Sequence, residues 1–186
     1  MGISGFYGNS AHNTYPNDLK GDDKPYDKVK GAVAVGSVDM TLNRWNWIVR
    51  GQADYGYVGD TEKLNTIKDA KAHASNSPVK SAMIGKNAVA VGIEAGYNVF
   101  SQIERLHRGE QKLYVFGRFE YYDSYIPASN KEMFDYTNVH RLAFGLNYYP
   151  IPQIAIKADY SLRKLKEPYN NEPSLNIGVC YEGFFL

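Results

Sequence analysis

The chain has a single cysteine, Cys180, in 186 residues, so it can form no internal disulfide and no cysteine-based metal site. Long apolar runs are missing too. Leu142 to Ile156, 15 residues without a charge, is interrupted by Pro150 and Pro152. No run reaches the length of a transmembrane helix. Neither sign of charge dominates: 21 Lys and Arg stand against 20 Asp and Glu. That balance gives no basic stripe for nucleic acid and no acidic tail. The opening Met1-Gly2-Ile3-Ser4-Gly5-Phe6 has no basic segment ahead of an apolar core, so it does not read as a secretory signal. Position 6 also lacks the Ser or Thr that favours myristoylation.

What is abundant is aromatic. Sixteen Tyr, 8 Phe and 2 Trp make up 14% of the chain, beside 17 Gly. That mixture favours strands joined by turns over helices. With 44% apolar and 22% charged residues the chain is expected to fold, as a single domain over residues 1–186.

The dominant period is two, the period at which strand side chains share a face. In Trp47 to Tyr57, residues Trp47, Val49, Gly51, Ala53, Tyr55 and Tyr57 share one face, and Ile48, Arg50, Gln52, Asp54 and Gly56 the other. Lys112 to Tyr122 repeats this, with Leu113, Val115, Gly117, Phe119 and Tyr121 against Lys112, Arg118 and Glu120. Ile154 to Arg163 does so again, with Ile154, Ile156, Ala158, Tyr160 and Leu162 against Lys157, Asp159, Ser161 and Arg163. Gly31 to Leu42, Ala88 to Val99, Val139 to Tyr149 and Ser174 to Phe185 follow less forcefully, and Gly2 to Asn9 gives a short eighth strand. No Asp, Glu, Lys or Arg falls on an expected apolar face; His140 alone intrudes.

The links alternate in length. Ser10–Lys28, Gly59–Lys86, Asp123–Asn138 and Lys164–Pro173 are the longer set, with a short helix expected within Thr61–Ala74. Asn43–Asn46 and Pro150–Gln153 are tight, the latter because two prolines should bar strand continuation, and Phe100–Gln111 is intermediate. The fold class expected is all-β: an antiparallel up-and-down transmembrane β-barrel of about eight strands. A soluble barrel would turn the same apolar face inward. Four features favour lipid on that face. The strands are long, 10 to 12 residues as read. Aromatics crowd the strand ends, where Trp47, Tyr55, Tyr57, Tyr97, Tyr121, Tyr148, Tyr160 and Phe185 would form two interfacial girdles. Long and short links segregate to opposite ends. An apolar strand also runs through Tyr181-Glu182-Gly183-Phe184-Phe185-Leu186.

That last segment resembles the C-terminal strand of Gram-negative outer-membrane proteins. Val38-Asp39-Met40-Thr41 with Trp47-Ile48-Val49-Arg50-Gly51, Tyr121-Tyr122-Asp123-Ser124, and Gly145-Leu146-Asn147-Tyr148-Tyr149-Pro150 with Lys157-Ala158-Asp159-Tyr160 resemble the porin-type barrels of Bacteroidetes, related in style to phosphate-selective porins. The resemblance implies an outer-membrane location and a C-terminal strand read by the barrel-assembly machinery. Family members are longer, so the chain is expected to be the C-terminal half of a larger barrel.

The polar face would then line a lumen. Its candidates are Arg50, Arg118, Arg141, Lys157 and Arg163 against Asp39, Asp54, Glu94, Glu120, Asp159 and Glu182. Such charges either tune ion passage or pair into a structural network. Phosphate selectivity would need an excess of cations that this set lacks. His12, His73, His107 and His140 fall at no metal-ligand spacing. Asp18, Asp22, Asp23 and Asp27 lack the fixed spacing of a calcium loop, and Gly31 to Gly36 lacks the Gly-Lys-Ser/Thr of a phosphate loop. No nucleophile, base and acid are placed together. The expectation is a porin-like barrel for passive diffusion of small hydrophilic solutes, without cofactor, metal, catalysis or nucleic acid, bounded by outer-membrane lipid and open to homo-oligomerisation. The alternatives are a closed eight-strand non-conducting anchor or adhesin, and a soluble ligand-binding barrel. Taken alone, the chain should form an open sheet with a gap between Gly2–Asn9 and Ser174–Phe185.

Overall fold

The computed structural model describes residues 1–10, 29–66, 83–108, 110–128 and 137–182. Eight strands form one sheet: β1 (Gly2–Asn9), β2 (Ala32–Arg44), β3 (Trp47–Val58), β4 (Asn87–Asn98), β5 (Lys112–Ile126), β6 (Asn138–Ile151), β7 (Ile154–Leu165) and β8 (Glu172–Tyr181). Their spatial order is their sequence order, and every pairing is antiparallel. The sheet is therefore an up-and-down meander. It does not close into a barrel: β1 and β8 are its two edges, with the expected gap between them.

The joins at one end are short for local reasons. The β2–β3 turn places Trp45 at φ 52° and Asn46 at φ 66°. Positive φ at both central residues defines the hairpin turn whose twist matches that of the strands. The β4–β5 join holds a 3-10 turn (Val99–Gln102) and a short α-helix (Glu104–Arg108). Val99, expected in the strand, thus belongs to the turn. At the other end, residues 61–66 are helical, and the rest of the expected helix, to residue 74, lies outside the described residues.

Several boundaries differ from expectation. Pro150 does not end its strand: β6 continues to Ile151. The pairing register shifts between Tyr148 and Ile151, so Pro150 occupies an irregularity where a missing N–H breaks no regular ladder. β5 extends past Tyr122 to Ile126, which shortens the next link. β8 begins at Glu172 and admits Pro173, because an edge strand leaves one row of N–H groups unpaired in any case. The expected continuation to Phe185 passes into residues 183–186, outside the described set.

The sheet buries little of its apolar content. The buried apolar residues are Val29, Leu64, Tyr125, Val139, Ala143 and Ala155. Phe144 is 64% exposed and Ile177 75%. No helix among the described residues is long and apolar enough to cross a membrane.

Candidate functional site

Residues directly opposite one another across an antiparallel ladder share a face, so the register sorts the side chains. One row runs Thr41, Arg50, Glu94, Arg118, Ala143, Ser161, Ser174 from β2 to β8. The next runs Asp39, Gln52, Gly92, Glu120, Arg141, Arg163, Glu172. These two rows place acids beside bases on neighbouring strands. Arg50 Nη1 lies 3.1 Å from Glu94 Oε1. Arg118 reaches Glu94 at 3.9 Å and Glu120 at 3.4 Å. Arg141 Nη1 stands 3.6 Å from Glu120 Oε2. Arg141 also donates to Ser161 Oγ from Nε (3.2 Å) and Nη2 (3.1 Å), and Ser161 Oγ lies 2.7 Å from Ser174 Oγ. The result is one polar chain from β3 to β8, a band crossing six strands. Ser161, its most enclosed member, is 1% exposed. Arg163 pairs with Glu172 at 2.6 Å beside it.

The remaining candidates are in no ion pair among the described residues. Asp54 accepts from Ser37 Oγ and from Gln52 Nε2 at 2.9 Å. Asp159 accepts from Asn176 Nδ2 at 2.9 Å. Lys157 pairs with Asn147 and Gly178 in register and has no carboxylate partner among the described residues. Asp39 faces Gly2 across the β1–β2 ladder, its carboxylate filling the space a Cβ would need there. Glu182 lies beyond β8, where its backbone N–H donates to Gln153 O at 2.8 Å. Glu172, expected in a link, and Lys112, expected on the polar face but outside the lining set, both occupy strand positions of this face. With them the face carries six cations and six carboxylates within the strands: Arg50, Lys112, Arg118, Arg141, Lys157 and Arg163 against Asp39, Asp54, Glu94, Glu120, Asp159 and Glu172. The same face also bears Tyr114, Phe116 and Tyr122 of β5 and Tyr149 of β6. Their alternate positions were the available signal, masked because aromatics read as apolar.

The opposite face is a continuous apolar field with aromatic borders. At the short-turn end Trp47 and Tyr97 rings lie 5.0 Å apart, and Phe100 meets Tyr148 edge-on at 6.0 Å. The Arg44 guanidinium sits 4.2 Å over the ring of Trp45, an aromatic of this border that the alternation reading left in a turn. At the long-link end Tyr55 and Tyr57 are exposed, and Tyr121 meets His140 at 4.9 Å. Tyr160 lies mid-strand, paired with Phe144 and Leu175. Phe185 lies outside the described residues. The longer strands carry Arg44, Asp123 and Lys164 into register positions of this face, each at a strand end beyond the apolar field.

Asp123 is 2% exposed and accepts from Tyr125 N (3.0 Å), Thr137 Oγ1 (2.8 Å) and Asn138 Nδ2 (3.4 Å). It ties β5 to the start of β6. Asn65 does similar work, since its amide both donates to Ile84 O (2.9 Å) and accepts from Ile84 N (2.7 Å). Among the described residues no three His, Cys, Asp or Glu are grouped to hold a metal ion. His12 and His73 and the four link aspartates lie outside the described residues.

No family model matches the chain, and no solved structure matches it. Over 127 residues it is 31% identical to an uncharacterized protein of Aquifex aeolicus (strain VF5). That similarity takes in 68% of this chain and 28% of the relative, so the chain spans well under a third of the length of the curated protein it matches.

Proposed function

We propose that the sheet is wall segment of an outer-membrane, porin-like β-barrel through which small hydrophilic solutes diffuse passively. The observation that carries this reading is the separation of its faces: an exposed apolar field bordered by aromatics on one, a connected charged band on the other. A soluble barrel would enclose the apolar residues, whereas Leu175, Ile177 and Val179 are each more than 70% exposed. Lipid is the solvent that matches such a face, and Tyr and Trp suit its interfacial borders. Water suits the charged face.

Unpaired strand edges in hydrocarbon cost several kcal/mol per exposed group, so the reading requires further strands to occupy the β1 and β8 edges. Eight strands closed on themselves leave room only for side chains, while about sixteen leave an aqueous channel. A completed, wider ring therefore goes with a pore rather than an anchor. The mechanism is geometric and electrostatic: lumen width and lining charges set what passes, without a chemical step.

The test is conductance. The protein assembled as a completed ring, with the β1 and β8 edges paired, and fused from lipid vesicles to a planar bilayer should give discrete current steps. A sheet that stays monomeric and folded in buffer without detergent, or a completed ring in lipid that does not conduct, would overturn the reading.

A further inference from the structure

The charged face contains a groove whose chemistry indicates what kind of solute it receives. Its floor is Ala90 and Gly92 of β4, flanked by Gln52 and Asp54 of β3 and by Glu120 and Tyr122 of β5. The walls stand two interstrand spacings apart, about 9.5 Å. The space measures about 250 Å³ and adjoins a second of about 350 Å³ that shares Gln52, Gly92 and Glu120 and reaches Arg50 and Glu94. Floor residues without long side chains open the groove, and a Cβ on Gly92 would meet nothing closer than 3.7 Å.

We propose that this groove seats one ring of a neutral sugar, a pyranose unit, during passage. The proposal rests on the pore reading. Three features select that class. The strands' lining charges are equal in number, so the face as a whole gives neither cations nor anions an advantage. The walls present planar hydrogen-bonding groups: Gln52 donates to Asp54, leaving its amide oxygen free for a sugar hydroxyl, and Glu120 is held between Arg118 and Arg141. Vicinal hydroxyls match paired acceptors and donors of this kind, and the ion pairs fix the geometry in advance. The fourth wall is Tyr122, whose hydroxyl is hydrogen-bonded to the Arg163 guanidinium on the same face. A pyranose has an apolar face made of C–H groups, which packs on an aromatic face whose quadrupole is negative. Inorganic ions have no such face, and linear polyols do not hold one rigidly.

The probe is maltose, tested with the protein assembled as a completed ring in a detergent without a sugar head group. Saturation-transfer NMR reports binding, and block of the potassium chloride current in a planar bilayer reports passage through the groove. Maltose should show transfer and reduce the current, while sorbitol at equal concentration and viscosity should do neither. Tyr122→Leu should raise the half-blocking concentration about tenfold, and Tyr122→Phe, which keeps the ring, should restore it. Gly92→Leu fills the floor and should abolish transfer. A conducting channel that neither binds maltose nor responds to it overturns the sugar assignment and leaves the pore standing. So does a Tyr122→Leu variant with unchanged block. Transfer that depends on Tyr122 in a chain that never conducts overturns the pore and keeps the sugar seat.

Discussion

On one face of the sheet Arg50, Glu94, Arg118, Glu120 and Arg141 hold one another; on the other, Val91, Phe144 and Ile177 stand exposed. Both faces hang from the same backbone ladder, one residue apart. The charged face is organised by partners that are themselves part of the protein. Between its aromatic borders the apolar face is left exposed by the described chain, so its stability depends on what covers it. In the proposed setting a substitution on the apolar face is measured against lipid, and one on the charged face against its neighbours.

Ile156→Arg puts a charge where the apolar face meets hydrocarbon and should cost about 2–4 kcal/mol near the midplane, read from urea unfolding in lipid vesicles. Arg50→Ala or Lys157→Ala should cost less. The reverse ranking would invert the facing assignment. Asp123→Ala should cost about 1–3 kcal/mol, because it strands the Thr137 hydroxyl and the Tyr125 amide that now donate to a buried carboxylate. That loss belongs to neither face and should be equal in detergent and in lipid. Asn46→Val should cost about 1–2 kcal/mol, since a β-branched residue resists the positive φ the β2–β3 turn requires. The smallest effect is expected within the band. A double-mutant cycle on Arg50 and Glu94 should give a coupling of about 0.2–1 kcal/mol that shrinks in high salt, because Arg50 is more than half exposed. A salt-independent coupling of several kcal/mol would mean that the charged face is not open to water.

The alternation was legible wherever a strand carried several charges. Lys157, Asp159 and Arg163 fixed the parity of β7 before any pairing was known, and Trp47 to Tyr57 marked β3 to within one residue of Val58. What remained hidden was relational. That Glu94 lies between Arg50 and Arg118 depends on the registers of β3, β4 and β5, set by ladders between residues distant in the chain. Glu172 reads as link because Pro173 follows it, although an edge strand tolerates that proline. Tyr122 and Phe116 read as greasy residues out of place, although a polar lining has its own use for rings. Phe116 lies over Gly145, occupying the space a side chain there would need. Asp123 looks like the first residue of a loop, and only the partners brought by Thr137 and Asn138 make it a structural clasp.

The meander has one further consequence, a rule of counting. Eight strands that alternate in direction leave β1 and β8 pointing opposite ways at the two rims of the opening. Any set of strands that bridges the opening with antiparallel pairs throughout must therefore be even in number. An odd supplement would force one parallel pair, which is slightly less stable per residue than an antiparallel one. A second set of eight obeys the rule, and so does any pair of hairpins. A ring that is antiparallel throughout thus has an even total whatever supplies the rest.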